Sequence, residues 1–128
     1  MTLTFTLHGQ VLSGKNHMQI GRDGRHYPTK RWAAWRDEAV SSIQIDFRMQ
    51  GNWDGITNAV AIPCKATIIF THADRRRRDV AGLIDALSHV LERAGVIKDD
   101  SLLVDWDIHT VPEPNKAKAG VEIRIETL

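Results

Sequence analysis

This chain has almost no cysteine, no long apolar run and little net charge, and each shortage excludes a class of protein. Cys64 is the only cysteine among 128 residues, so no intrachain disulfide can form, and its place before an apolar run indicates a small buried hydrophobe. No apolar run could span a membrane, and residues 1–7 lack the basic leader of a signal peptide. The six histidines do not follow zinc-site spacing. We expect a cytoplasmic protein without zinc.

The net charge is +1, which does not by itself indicate a nucleic-acid-binding protein. The charge is nevertheless unevenly distributed along the chain. Residues 15–36 contain six cationic side chains and one carboxylate, whereas residues 96–128 carry more carboxylates than cations. Because counterion release depends on local clusters of Lys and Arg, the segment 15–36 is a candidate phosphate-binding region.

The patterning of apolar residues predicts one domain with one core, which the length and the 42% hydrophobic fraction also suit. Alternation on a period of two predicts strands at residues 2–8, 66–71, 102–109 and 121–126. Helical spacing predicts one helix from a Thr29 cap to near Gly51, and a second from an Asp79 cap to Gly95. The order β-α-β-α-β-β predicts a mixed α+β domain.

Residues 9–28 separate the first strand from the first helix and are polar, basic and punctuated by glycines. A connection of this length in a compact domain is a candidate binding loop. The tryptophans at positions 32, 35 and 106 follow apolar periodicities, so we expect them in the core rather than as base-stacking platforms. Trp53 lies between predicted elements, and its role stays open.

The most specific stretch of the sequence joins an arginine run to an acidic pair. Residues 74–79 (DRRRRD) lead into the second helix, and residues 94–100 (AGVIKDD) follow it. In this arrangement the chain resembles the RusA family of Holliday-junction resolvases, in which an arginine-rich loop enters a helix through an Asp and an Ala-Gly pair followed by Asp-Asp closes the site. Weaker matches at residues 12–16 (LSGKN) and 24–27 (GRHY) extend the resemblance to nearly the whole chain.

The resemblance implies that residues 1–128 form one RusA-like resolvase domain. It implies a homodimeric endonuclease, often of phage or prophage origin, that depends on Mg²⁺, with Mn²⁺ as an alternative, and that nicks four-way DNA junctions symmetrically. Asp79 and Asp100 match the family's carboxylates residue by residue. No membrane partner is expected.

The residue types suit this chemistry. Mg²⁺ takes oxygen ligands and is held by one or two carboxylates together with substrate phosphate and water. We predict Asp79, Asp85, Asp99 and Asp100 as metal ligands, and the first two together with Asp100 as catalytic residues. Two simpler interpretations stay open, because Asp79 is also explained as a helix N-cap and an Asp-Asp pair before a strand is often a turn.

The chain departs from the family pattern in the first turns of the second helix. Where the family has an Asp, an Asn and a Lys, this chain has Ala81, Gly82 and Asp85. Residues 81 and 85 are one helical turn apart, and helical side chains lean toward the N-terminus, so Asp85 would lean over the space beside Ala81. His89, four residues further on, could orient Asp85 or shuttle a proton. The alternative is a solvated helix face, which Ser88 and Glu92 also border.

Two functions therefore remain open. The first is an active structure-selective endonuclease, and the second is a non-catalytic relative that binds branched DNA through the same basic surface. For the arginine run, the alternative to phosphate contact is a solvated charged loop. The predicted DNA-binding residues are Lys15, Asn16, Arg22, Arg25, Lys30, Arg31, Arg75, Arg76, Arg77 and Arg78.

Overall fold

The computed structural model describes residues 2–14, 18–54 and 59–128, and the side chains of 51–54 lie outside the description. These residues form two helices, a four-stranded sheet, a small hairpin and a 3-10 turn, joined by connecting segments. Apart from the hairpin, the order is β-α-β-α-β-β, which confirms the predicted α+β class. The elements are β1 Thr2–His8, β2 Met18–Ile20, β3 His26–Pro28, α1 Lys30–Asp54, β4 Cys64–Thr71, α2 Val80–Arg93, the 3-10 turn Asp100–Leu102, β5 Leu103–Thr110 and β6 Gly120–Thr127.

The main sheet is mixed and has the strand order β1-β6-β4-β5. β6 pairs antiparallel with both β1 and β4, whereas β4 and β5 are parallel and are joined through α2 as a crossover. Alternate residues of β1 and β4 are buried, so the sheet has one core face, as the period-two pattern predicts. Both helices contribute to that core, α1 through Ile43 and Phe47 and α2 through Leu87.

The helix boundaries follow from their caps. The Trp32 N–H donates to Thr29 Oγ1 at 3.3 Å, which confirms the predicted cap of α1. The predicted end near Gly51 is wrong by about a turn, because α1 continues to Asp54. Gly95 has a φ of 79°, and its N–H bonds to the Glu92 carbonyl at 3.0 Å, so α2 stops where the glycine predicts.

The segment predicted as a candidate binding loop contains the β2–β3 hairpin, which the sequence analysis did not predict. The paired residues are Met18 with Pro28, Gln19 with Tyr27 and Ile20 with His26. Each strand has only three residues, which is too short for period-two alternation to be recognised. The hairpin therefore depends on its turn rather than on an apolar pattern.

The remaining predictions concern the tryptophans, the single cysteine and the expected absence of a membrane span. Trp32 is buried, Trp35 and Trp106 pack against the core, and Trp106 Nε1–H donates to the Leu103 carbonyl at 3.0 Å. The Trp53 side chain lies outside the described residues. Cys64 is buried, and burial raises the pKa of its thiol, as expected for a packing residue. Among the described residues, no helix has the length and apolar character needed to cross a bilayer.

Candidate active site and nucleic-acid interface

Two of the predicted carboxylates line the same cavity, which we call the acidic cavity. It has a volume of about 410 Å³ and lies between α2, the start of α1 and the 3-10 turn. Asp85 reaches it from α2, and Asp100 reaches it from the turn that follows the helix. The eight lining residues are Gly14, Met18, Trp32, Gly82, Asp85, Ala86, His89 and Asp100.

The path of the chain explains why Asp85 and Asp100 line the same cavity. α2 carries Asp85 in its second turn, and the chain reverses at Gly95, whose positive φ few other residues adopt. Val96 and Ile97 are then buried, which anchors the chain as it returns toward the 3-10 turn. Asp100 thereby returns to the cavity that Asp85 faces.

Asp79 lies at the rim of this cavity. It is the N-cap residue of α2, but its side chain makes no capping hydrogen bond to the described helix, so the simple capping interpretation does not explain its carboxylate. A Cβ built on Gly82 would lie 3.3 Å from Asp79 Oδ2. Gly82 itself lines the acidic cavity, so the Asp79 carboxylate lies next to the cavity wall, although Asp79 is not among the lining residues.

The two neighbouring carboxylates Asp99 and Asp100 have different roles. Asp99 accepts a hydrogen bond from the Ser101 N–H at 2.9 Å and caps the 3-10 turn, and this hydrogen bond lowers the pKa of its carboxyl. Asp100 instead lines the acidic cavity. The turn interpretation therefore applies to Asp99, which the sequence had also suggested as a metal ligand.

His89 lies on the same cavity, one helical turn beyond Asp85. Its ring packs against Trp32 with the centroids 5.9 Å apart and the planes tilted by 37°. Within the described part of the chain no hydrogen bond joins His89 to Asp85, so the packing of His89 on Trp32, and not a contact with the carboxylate, fixes the imidazole.

A buried hydroxyl near Asp79 is a feature that the sequence patterns do not reveal. Ser13 is only 8% exposed, and its Oγ has no hydrogen-bond partner among the residues described. A Cβ added at Gly82 would fall 2.5 Å from this oxygen, so a side chain at position 82, such as the family's Asn, would displace Ser13. Glycine at this position therefore permits Ser13 to approach Asp79.

The oxygen atoms around the acidic cavity are of the kind that Mg²⁺ prefers. In the described ranges no three His, Cys, Asp or Glu side chains form a ready-made metal cluster. Mg²⁺ is commonly held by one or two carboxylates, with water and substrate phosphate completing the shell. Asp85 and Asp100 meet that need, and a buried, unbonded hydroxyl at the rim is a costly group that a bound ion or phosphate would satisfy. The residues present fit Mg²⁺.

Beside Asp79 lies a second depression, the basic groove, with a volume of about 300 Å³. Arg31 from the start of α1 and three arginines of the 74–79 segment line it together with Ser13. Gly82 lines the acidic cavity and lies against Ser13 and Asp79 of the groove, so the two depressions adjoin there. The lining residues are Gln10, Val11, Leu12, Ser13, Arg31, Arg76, Arg77, Arg78, Asp79 and Leu83.

The four arginines of the run are not equivalent. Arg78 is 15% exposed, and its guanidinium bonds to the Asp74 carboxylate at 2.8 Å and to the carbonyls of Asp74 and Arg76 at 3.0 Å. Arg75 pairs with Glu113 at 2.9 Å on the surface, and Arg76 lies 3.7 Å from Asp74. Arg77 makes no ion pair with any described residue.

Asp74 is the centre of this loop. The Arg76 N–H and the Arg78 guanidinium hold the pKa of its carboxyl below the usual value. Gln10 ties the loop to the end of β1, because it accepts from the Ala73 N–H at 2.8 Å and lies 3.2 Å from His72 Nδ1. The loop is therefore held in place by its own hydrogen bonds.

The other predicted DNA-binding residues fall into three groups. Arg22 and Arg25 are exposed at the tip of the β2–β3 hairpin. Lys30 and Arg31 are exposed in the first turn of α1, and Arg31 borders the basic groove. Lys15 and Asn16 lie outside the described residues.

An α+β domain with carboxylates at one cavity and arginines in the adjoining groove has the groups with which proteins bind a divalent cation and a phosphate together. The chain is 29% identical over 104 residues to the crossover junction endodeoxyribonuclease RusA of Aquifex aeolicus (strain VF5). The alignment covers 81% of this chain and 75% of that protein. No protein-family model matches the chain. The similarity supports the RusA-family relationship that residues 74–106 predict.

Proposed function

We propose that the protein is a magnesium-dependent, structure-selective endonuclease that resolves four-way DNA junctions by paired symmetric nicks. The observation that carries this proposal is that Asp85 and Asp100 line one cavity, with Asp79 at its rim and the basic groove beside it. Hydrolysis of a phosphodiester needs this combination of carboxylates and cations. The similarity to a crossover junction endodeoxyribonuclease supports the same conclusion.

The residues divide the work as follows. Asp85 and Asp100 hold the cation, and Asp79 and the Ser13 hydroxyl complete its surroundings at the rim. When bound, Mg²⁺ supplies charge stabilisation for the phosphodiester under attack. Arg77 and Arg31 bind the DNA phosphates in the basic groove.

The family's lysine is replaced by Asp85, so another cation must meet the charge that develops on the phosphate. Arg77 is the best candidate, because it lines the basic groove and makes no ion pair with any residue the structure describes. Arg78 is less suitable because its guanidinium already holds the loop together. Cleavage is expected to be slow, since a guanidinium at the groove replaces an ammonium in the cavity.

The second candidate function is a non-catalytic protein that binds branched DNA. It is favoured by the replacement of family positions by Ala81 and Gly82 and by the lack of a three-ligand cluster in the described chain. A labelled four-way junction incubated with and without Mg²⁺ separates the two. The enzyme gives symmetric nicks only with the metal, whereas binding without cleavage under Mg²⁺ and Mn²⁺ establishes the second function.

Paired nicks require two active sites related by a two-fold axis, so the functional unit is a homodimer. Light scattering at micromolar protein should give twice the 14.4 kDa chain mass, with or without junction DNA. A monomer mass under both conditions contradicts paired nicking by this chain.

A further inference from the structure

The β2–β3 hairpin exposes apolar side chains where a short polar hairpin would need none. Ile20 is 70% exposed and Met18 is 44% exposed, whereas the exposed Tyr27 pairs with Gln19 and lies on the other face. Single exposed apolar residues are common, but two on one face of a three-residue strand are a candidate contact surface. The hairpin therefore has the character of a contact element.

The hairpin tip is held together by its own hydrogen bonds. The Gly21 N–H bonds to the Arg25 carbonyl at 2.8 Å, and the Asp23 carboxylate accepts from both the Arg25 N–H and the Tyr27 hydroxyl. The Tyr27 ring lies across Gly21, where an added Cβ would approach the ring to 2.6 Å. Such a tip can hold an exposed side chain in a fixed direction.

The strand register gives that direction. Met18 and Ile20 are two residues apart, so their side chains leave the same face of the hairpin. Met18 lines the acidic cavity together with Asp85 and Asp100. Ile20 therefore lies on the cavity side, one step closer to the tip, and whatever it contacts is held next to the carboxylates.

Charge favours a polyanion as the partner. Arg22 and Arg25 are exposed at the tip, and the hairpin's base leads into Lys30 and Arg31 at the start of α1. Apolar side chains flanked by cations are the means by which DNA-bending proteins enter a base step while binding the adjacent phosphates. At a junction, bases at the branch point are the easiest to unstack.

We propose that the hairpin inserts Ile20 at the branch point of a DNA junction and unstacks a base there, which positions the neighbouring phosphodiester at the acidic cavity. This proposal rests on the proposed function, because it takes branched DNA as the ligand. The other occupant of the same surface would be a second copy of this chain, which a change of oligomeric state on substitution of Ile20 would reveal.

The test uses four-way junctions with 2-aminopurine at the branch point or, as a control, within one arm. The parent protein should raise the fluorescence of the branch-point probe and leave the arm probe unchanged. Ile20→Ser should lose most of that rise and weaken junction binding by about tenfold, with duplex binding unchanged. Its salt slope should equal that of the parent, because no phosphate contact is lost.

Ile45→Ser is the matched control, because Ile45 is 58% exposed and lies thirteen residues along α1 from Trp32 of the acidic cavity. It should behave as the parent in every assay. A parent that binds junctions without a fluorescence rise, or an Ile20→Ser protein with an unchanged rise, overturns the insertion and leaves the proposed function standing.

Two further results also overturn the insertion. If Ile20→Ser converts a dimer to a monomer, Ile20 contacts a second copy of the chain. If the parent binds no junction, both the insertion and the proposed function fail.

Discussion

The arginine loop (residues 74–79) and the acidic cavity lie close together near Gly82. They differ in how many of their charged side chains form ion pairs with other residues of the protein. In the loop, Arg78 bonds to Asp74 and to two carbonyls, and Arg75 pairs with Glu113. In the cavity, Asp85 has no ion-pair partner among the described residues. Several charges in a dense run can thus be engaged in ion pairs within the protein, so their number in the sequence exceeds the number that a ligand can reach. A single carboxylate on a helix beside a cavity can, in contrast, be available to a ligand without any charge cluster in the sequence to indicate it.

The largest expected effect tests the cavity side of this comparison. Asp85→Asn keeps the shape of the side chain and removes its charge, so Mg²⁺-dependent junction cleavage should fall by about a hundredfold or more, as fully as for Asp79→Asn. Gel assays of cleavage and of junction binding should show that binding is largely retained. Parental cleavage by Asp85→Asn would mean that Asp85 belongs only to a solvated helix face.

Asp99→Asn is the matched control for that experiment, because Asp99 caps the 3-10 turn and asparagine also caps. Its cleavage rate should stay close to the parental rate. A loss as large as that of Asp85→Asn would place Asp99 among the metal ligands and would contradict the division of roles within the acidic pair.

A medium effect separates two arginines of the loop. Arg77→Ala should lower the slope of log binding constant against log salt by about one, without changing the free energy of unfolding. Arg78→Ala should instead lower the free energy of unfolding by about 1–2 kcal/mol, because its removal takes one of the two donors from the Asp74 carboxylate and a donor from each of two carbonyls. Salt titrations and urea unfolding measure the two quantities. The reverse assignment of effects would show that the loop is not organised by Arg78.

The fold was predictable where local patterns and packing agree. β1 and β4 bury alternate residues as their periodicity predicts, and Gly95 ends α2. The β2–β3 hairpin was not predictable, because hydrogen bonds to Asp23 in its turn, rather than an apolar pattern, support its short strands.

The candidate site was predictable only in part. The proximity of Asp85 and Asp100 follows from a helix and a return turn that are local in sequence. Ser13 is far from Gly82 and Asp79 in sequence, and no local pattern predicts that the three meet. The sequence signal that could have pointed to Ser13 is its place in the weaker family match at residues 12–16.

The smallest expected effect concerns pH and the anchoring of the arginine loop. Burial, followed by the charge of Arg78, lowers the pKa of His72 from its ordinary value of 6.5. His72 therefore takes up a proton more readily in the unfolded chain than in the folded chain. The contribution of neutral His72 to the free energy of unfolding is present above pH 6.5 and is lost as the pH falls below that value. Urea unfolding between pH 7.5 and pH 5, in steps of about half a unit, should show a shallower decline for His72→Gln than for the parent. If the free energy of unfolding declines equally with pH in both proteins, protonation of His72 does not destabilise the folded chain.

The central claim is that Asp85 and Asp100 of the acidic cavity hold a divalent cation, and direct binding of Mn²⁺ tests it most closely. Electron paramagnetic resonance should detect one bound Mn²⁺ per chain in the parent protein, displaced by excess Mg²⁺. Asp85→Asn and Asp100→Asn should each weaken this binding by about tenfold or more, while Asp99→Asn leaves it unchanged. Equal Mn²⁺ binding by the parent and by Asp85→Asn would contradict the claim.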